Sequence, residues 1–196
     1  NDQVAQSSDS DQTLTDSTLD DATLANIESA QLTGGDSANT IDASGFSGSV
    51  TIDGGAGDDV LTGGSGSDVI DGGDGSDEIR SSADADQTLT DTALGGDTLA
   101  NIESAQLTGG DSANTIDASG FSGSVTIDGG AGDDVLTGGS GSDVIDGGDG
   151  SDQVTLSVDA DITLTDTALS GDTLANIESA QLTGGDGDNT IDASGF

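Results

Sequence analysis

The sequence predicts an all-β fold of the solenoid kind, in which short strands stack coil upon coil. Two periodicities carry that prediction. A nine-residue pattern, Gly-Gly-x-Gly-x-Asp-x-apolar-x, runs three times without a break from Gly54 to Arg80 as GGAGDDVLT, GGSGSDVID and GGDGSDEIR. It returns from Gly129 to Thr155 as GGAGDDVLT, GGSGSDVID and GGDGSDQVT. The longer period is 75 residues: TLTD begins at Thr13, Thr88 and Thr163, and Thr23 to Asp77 is identical to Thr98 to Asp152. A disordered chain has no reason to place Ile, Leu or Val at every ninth position, so the periodicity outweighs the low aromatic content.

In chain order, residues 1–12 match the tail of a repeat, 13–87 and 88–162 are two complete repeats, and 163–196 begin a third. With no initiator Met and no signal peptide, the sequence is expected to be part of a longer chain. Apolar strand centres fall at Leu32, Ile41, Ile52, Leu61, Ile70, Ile79 and Leu89, then near Leu99, before Leu107 repeats Leu32. The step from Ile41 to Ile52 is longer than nine, and the extra residues near Ala43 and Ser44 should bulge from a corner. Phe46, Phe121 and Phe196 stand at that corner in the three copies. Packing over the bulge is the favoured expectation for them, and an apolar knob for lateral contact is the alternative. This count makes eight strands per repeat, an even number, so each repeat should begin on the sheet where the last began. The stretch Thr88–Thr108 keeps the step poorly. Asp97–Ile102 admits a short helical turn, but the solenoid is expected to continue through it.

The glycines of the nonapeptide permit backbone conformations that a β-carbon forbids, so carbonyls can turn into the loop. The Asp adds a carboxylate beside them, which makes a hard-oxygen site suited to Ca²⁺. These blocks resemble the RTX (hemolysin-type) calcium-binding nonapeptide repeat. The resemblance implies a right-handed parallel β-roll with about 18 residues, as two short strands on facing sheets, per coil. That gives four coils to each 75-residue repeat. It also implies several Ca²⁺ ions per chain, each clamped between stacked loops eighteen residues apart. Asp59 and Asp77 meet that spacing, with carbonyls of Gly55, Gly57, Gly73 and Gly75 among the expected ligands. Asp134 and Asp152, with Gly130, Gly132, Gly148 and Gly150, repeat the site.

The opposite edge is less complete. Eighteen residues before Asp68 stands Val50, and eighteen after it Asp86 lies in the degenerate segment SSADAD. Asp68 and its copy Asp143 are therefore expected to hold weaker sites, with Asp84 and Asp86 as possible oxygen donors. In GGDSANTID and GGDGDNTID an Asn replaces the Asp, leaving Asn39, Asn114 and Asn189 to offer a carbonyl oxygen. Asp9, Asp11 and Asp16 read as solvated turn residues. Asp42, Asp53 and Asp71 should face water, and Arg80, which no other copy repeats, has no assigned role.

Composition excludes much chemistry. The 196 residues hold 39 acidic side chains against one Arg, with no Lys, His or Cys, for a net charge of −38. No thiolate, imidazole, zinc set or disulfide is available. Nucleic acid and anionic membranes are excluded as partners because both need basic residues. No apolar run is long enough to span a bilayer. Neither an enzymatic activity nor a small-molecule substrate is expected. One apolar side chain per strand falls short of the entropy of ordering nine residues, so Ca²⁺ should decide whether the chain folds. The expected protein is disordered at cytosolic calcium and folds outside the cell after type I secretion, which the resemblance implies. It would be a secreted structural protein that self-associates into a fibre, surface layer or biofilm matrix. The alternative is a spacer or carrier module of a larger toxin, adhesin or hydrolase. Ice binding is disfavoured because the outward positions of one sheet, Gln31, Thr51, Val69 and Thr88 before the strand centres and Thr33, Asp53, Asp71 and Thr90 after them, form no ladder.

Overall fold

A computed structural model describes residues 2–196, and every regular element among them is a β-strand. The chain divides into two compact units, one of residues up to Ser81 with Asp91–Ala105, the other of Ser82–Thr90 with Gln106–Phe196.

The strands in and around the first unit are β1 (Gln3–Ser7), β2 (Gln12–Thr15), β3 (Thr18–Leu19), β4 (Ala22–Thr23), β5 (Ser29–Thr33), β6 (Thr40–Gly45) and β7 (Ser49–Asp53). They continue as β8 (Val60–Thr62), β9 (Val69–Asp71), β10 (Glu78–Ser82), β11 (Gln87–Thr90), β12 (Ala93–Leu94), β13 (Asp97–Ala100) and β14 (Ser104–Thr108). One sheet of this unit runs β1-β5-β7-β9-β13-β12 and the other β10-β8-β6-β2-β3-β4. From β5 to β10 the chain alternates between the sheets, and each strand pairs in parallel with the strand one coil away. Leu32 lies opposite Ile52 and Ile52 opposite Ile70; Ile41 lies opposite Leu61 and Leu61 opposite Ile79. The Ile52–Ile70 and Leu61–Ile79 pairs are eighteen residues apart, the coil that the nonapeptides imply. All six side chains are at most 1% exposed, so the core is a single file of aliphatic residues between two sheets.

The wider coils carry the bulged corner. β2 and β6 lose register between Thr13 and Thr15, where Asp42 and Gly45 are the opposite residues. Phe46 closes the corner: its amide donates to the Ala43 carbonyl, its own carbonyl accepts from Ser65, and its ring is 1% exposed. Phe121 is buried in the same way. Packing is thus the role of these two rings, and neither is a knob for lateral contact. Phe196 is 42% exposed.

The weakly periodic stretch is neither a helical turn nor a continuing coil. β2, β3 and β4 form an antiparallel meander, with Leu14 opposite Leu19 and Leu19 opposite Ala22. β12 and β13 repeat its second hairpin, with Leu94 opposite Asp97. β13 then returns to the parallel ladder beside β9, Leu99 facing Ile70. A two-residue hairpin needs positive φ, which Asp20 (49°), Gly95 (57°) and Ser170 (51°) supply at equivalent positions. Asn101 at φ 51° turns the chain out of the meander, leaving Ile102 half-buried, and Ala105 and Leu107 enter β14.

This meander corrects the strand count. Its strands all lie on one sheet, as β2–β4 and the strands from Ile162 to Ala175 each do. The meander is therefore one crossing of the core where two were expected, and a repeat crosses seven times where eight were expected. A 75-residue repeat is three and a half coils, not four, and the next begins on the other sheet. The first unit contains the proof: β1 and β10 are equivalent segments one repeat apart, as are β4 and β13, and each pair is split between the two sheets.

The second unit contains β15 (Thr115–Gly120), β16 (Ser124–Asp128), β17 (Val135–Thr137), β18 (Val144–Asp146), β19 (Gln153–Val158), β20 (Ile162–Thr165), β21 (Ala168–Leu169), β22 (Asp172–Ala175), β23 (Ser179–Gly184) and β24 (Ile191–Gly195). Its sheets are β11-β15-β17-β19-β23 and β24-β20-β21-β22-β18-β16. The meander β20–β22 again is antiparallel, and β18 pairs with β22 in parallel, Ile145 facing Leu174.

One buried polar side chain stands just before the first two TLTD motifs and is absent before the third. Gln12 and Gln87 donate from Nε2 to the carbonyls of Thr33 and Thr108 at 2.9 and 2.8 Å, but the Oε1 of each is buried without a partner. Ile162 stands before the third, 1% exposed. Gln87→Ile is therefore expected to stabilise the calcium-loaded chain by about 1 kcal/mol, since it removes an unsatisfied acceptor. A rise in the urea midpoint at saturating Ca²⁺ checks it.

Candidate metal centre

The loops Gly54–Asp59 and Gly72–Asp77 stack on one edge of the first unit. Both hold left-handed glycines, with φ of 100° and 113° at Gly55 and Gly57 and of 95° and 155° at Gly73 and Gly75. Gly130, Gly132, Gly148 and Gly150 repeat these conformations at 95°, 118°, 89° and 157°. A side chain could not replace them, because the loops lie backbone on backbone. A Cβ on Gly75 would sit 1.9 Å from the Gly57 carbonyl oxygen, and one on Gly73 would sit 2.1 Å from that of Gly55. The Gly55 carbonyl accepts the Asp74 amide at 2.8 Å, which joins the two loops.

The carboxylates form a ladder along this edge. Asn39 donates its amide to Asp59 Oδ1 at 2.7 Å, and Asp59 donates its amide to Asp77 Oδ1 at 2.8 Å. Asn114, Asp134 and Asp152 repeat it at 2.7 and 2.8 Å. Asp59 and Asp77 are 1% and 0% exposed, and the second oxygen of each, Oδ2, is buried without a hydrogen-bond partner. Asp134 and Asp152 have the same orphaned oxygen. Each Oδ2 turns towards the first glycine of its own loop: a Cβ on Gly54 would lie 2.5 Å from Asp59 Oδ2, and one on Gly72 2.5 Å from Asp77 Oδ2. The leading glycine and the Asp are thus one device.

A buried carboxylate oxygen with no donor is expensive unless a cation meets it. Ca²⁺ fits, because it takes six to eight oxygen ligands, carbonyls included. Among the described residues no three acidic side chains converge as a metal cage, so carboxylates alone do not make the site. Asp59 and Asp77 with carbonyls of the left-handed loops would have to hold the ion, and bound there it would neutralise the paired charges. Burial pushes the carboxyls of Asp59, Asp77, Asp134 and Asp152 above the usual carboxylate range. The amides that donate to them pull the other way, and the neighbouring carboxylates add to the rise.

The opposite edge is built differently although its sequence, GGSGSD, is intact. Gly64, Gly66, Gly139 and Gly141 are not in the left-handed region. Asp68 has both oxygens satisfied, Oδ1 by the Val50 amide at 2.8 Å and Oδ2 by the Gly64 amide at 2.7 Å. Asp143 receives the Val125 amide at 2.8 Å and keeps Oδ2 unpartnered. Asn39, Asn114 and Asn189 use Oδ1 to accept the amides of Gly35, Gly110 and Gly185 within their own loops.

Several partners lie where an eighteen-residue rule does not look. Asp68 meets Asp97, not Asp86: its amide donates to Asp97 Oδ1 at 2.9 Å, and Asp143 meets Asp172 at 3.0 Å. Burial pushes the carboxyls of Asp97, Asp143 and Asp172 up as well. Asp77 and Asp152 meet Glu103 and Glu178. Asp84 and Asp86 serve the Asn114 loop instead, accepting the amides of Ser112 and Thr115. Asp9, Asp11 and Asp16 are exposed, yet they cap the amides of Ser37, Thr40 and Ser47. Asp53 faces water, whereas Asp71 is half-buried and accepts from Asn101 Nδ2 at 2.7 Å. Arg80 pairs with its strand neighbour Glu78. The offset from Asp68 to its partner is set by the meander, and the signal for it was Gly95-Gly96 between two alternating Thr/Leu runs.

A family model of the RTX calcium-binding nonapeptide repeat matches four segments, residues 44–79, 53–87, 119–154 and 181–195. The matched segments contain both stacked loop pairs. No match to the chain was found among curated proteins.

Proposed function

As the chain belongs to the RTX calcium-binding nonapeptide repeat family, we propose that it is a secreted structural protein whose coils fold on Ca²⁺ and then self-associate into an extracellular fibre or matrix. The observation that carries this reading is the row of buried carboxylates with an orphaned oxygen, at Asp59, Asp77, Asp134 and Asp152. With a net charge of −38 the chain cannot neutralise them from its own residues. Calcium supplies the missing charge, so folding follows the step from low to high calcium on export. Each nonapeptide pair takes at least one ion. The chain itself has no catalytic role, since its carboxylates are spent on backbone amides and cation sites.

Self-association is favoured by the identity of Thr23–Asp77 and Thr98–Asp152, which repeats the same acidic groups along the chain for bridging by further Ca²⁺. Calorimetric titration with Ca²⁺, followed by negative-stain microscopy with and without EDTA, tests both halves. Saturable binding with ordered assemblies that EDTA dissolves is the expected result. Binding with only isolated single chains at high protein and calcium would remove the fibre and leave a calcium-folded spacer.

A further inference from the structure

We infer that the Asn-Ile-Glu turn leaving each meander is a shortened cation loop, so that a further Ca²⁺ position lies between Gly72–Asp77 and Asn101–Glu103. A second lies between Gly147–Asp152 and Asn176–Glu178. The inference rests on the calcium reading of the nonapeptide loops and extends their ladder by one step.

Each part of a nonapeptide loop has its counterpart in the turn. Where two nonapeptide loops stack, the point that a Cβ on Gly54 would occupy lies 2.4 Å from the Gly72 carbonyl oxygen and 2.5 Å from Asp59 Oδ2. Where the turn stacks on the last loop, the same point on Gly72 lies 2.1 Å from the Asn101 carbonyl oxygen and 2.5 Å from Asp77 Oδ2. On Gly147 it lies 2.1 Å from the Asn176 oxygen and 2.6 Å from Asp152 Oδ2. The Asn carbonyl therefore stands in for the first-glycine carbonyl of a following loop.

Glu103 stands in for the following Asp. Asp59 donates its amide to Asp77 Oδ1 at 2.8 Å, and Asp77 donates its amide to Glu103 Oε2 at 2.9 Å. Asp152 does the same to Glu178 at 2.8 Å. The left-handed glycines are replaced by Asn101 and Asn176, at φ 51° and 49°, and Asn tolerates that region better than most residues. Three residues and a longer side chain thus cover the span of a six-residue loop.

The mark of a ligand is the Oδ2 of Asp77 and of Asp152, which lies beside the turn. Between the nonapeptide loops it is instead the Oδ2 of Asp59 and of Asp134 that lies beside the next loop's first-glycine carbonyl. Asp77 and Asp152 are 0% exposed and their Oδ2 atoms lack a partner, at the point where the Asn carbonyl also converges. Two carboxylates and a carbonyl with no basic residue beside them suit a hard divalent cation. Glu103 is exposed, so water completes the shell and the site binds more weakly than an enclosed pair. Glu28 Oε2 accepts the amide of Asp2 in the same way.

The test is a set of Glu→Gln variants in the full chain, because Gln keeps the acceptor for the Asp amide and removes the charge. Glu103→Gln and Glu178→Gln are each expected to lose one Ca²⁺ from the calorimetric stoichiometry. Circular dichroism in saturating Ca²⁺ should be unchanged in both. An unchanged stoichiometry and affinity in Glu103→Gln and Glu178→Gln would overturn the inference and leave the nonapeptide sites standing. A wild-type chain that binds no Ca²⁺ would overturn the calcium reading itself. Should a variant not fold, anomalous scattering from Tb³⁺ in wild-type crystals decides: a peak at Asn101–Glu103 supports the site, and peaks confined to the nonapeptide loops overturn it.

Discussion

Removing calcium with EGTA at pH 7 is expected to unfold the chain, and acidifying the calcium-free protein towards pH 4 is expected to recover β-structure. The sign follows from the buried carboxyls. Asp59, Asp77, Asp134, Asp143 and Asp152 titrate above their ordinary value when folded, chiefly because burial disfavours the charged form. The folded state therefore holds more protons than the unfolded one. Their contribution is fully present below the unfolded carboxylate value of about 3.9 and is lost as pH rises through the folded values. Towards neutral pH burial disfavours the charged form of each, and a single Arg stands against the repulsion among 39 acidic groups. Calcium reverses this by binding the charged form. At a hundredfold excess over its dissociation constant each ion adds about 2.7 kcal/mol to the folded state. Circular dichroism against pH, with and without Ca²⁺, reads the effect at low protein concentration, because the isoelectric point near 4.1 falls in the same window. Equal β-structure in EGTA and in Ca²⁺ at pH 7 would sink the idea.

Gly75→Ala is expected to cost about 3 kcal/mol or more, enough to prevent folding at moderate calcium. The new Cβ would meet the Gly57 carbonyl oxygen at 1.9 Å, and φ of 155° is strained for any L side chain. Backbone from two coils would have to part, which opens the loop pair that holds the ion. Gly95→Asp supplies the contrast. Gly95 also has positive φ, 57°, but a Cβ there meets nothing within 4 Å. The chain already places Asp20 and Ser170 at the equivalent turn, at 49° and 51°. That change should move stability by less than about 1 kcal/mol, so the difference between the variants isolates loop stacking from backbone strain. Urea midpoints at fixed Ca²⁺ measure both.

The loops were legible because glycine, Asp and an aliphatic residue at fixed spacing each serve a local need: a left-handed turn, an acceptor for the next coil's amide, and a core position. The eighteen-residue step placed Asp59 against Asp77 and Val50 against Asp68, as the amide contacts show. It failed past Ile79. Leu89 and Leu99 are ten apart, so they read as successive strands on facing sheets. The meander instead keeps its strands together on one sheet, as Leu14 opposite Leu19 and Leu19 opposite Ala22 show. Aliphatic spacing reports that a residue is inside, not which sheet carries it. The partners of Asp77 and Asp68 moved for the same reason, to Glu103 and Asp97. The two edges of the nonapeptide block look alike in sequence, and only backbone φ separates the left-handed loops at Gly55 and Gly73 from the one at Gly64.

The odd number of core crossings per repeat makes copy number a matter of parity. Equivalent segments one repeat apart stand on opposite sheets, as β1 and β10 do and as β4 and β13 do. Recombination between tracts as alike as Thr23–Asp77 and Thr98–Asp152 adds or removes 75 residues at a time. Gaining or losing one copy would exchange the two faces for everything downstream, and only a change by pairs would leave the pattern of exposed groups where it was. A lineage that must keep one face in contact with something else is thus expected to vary its length in steps of two.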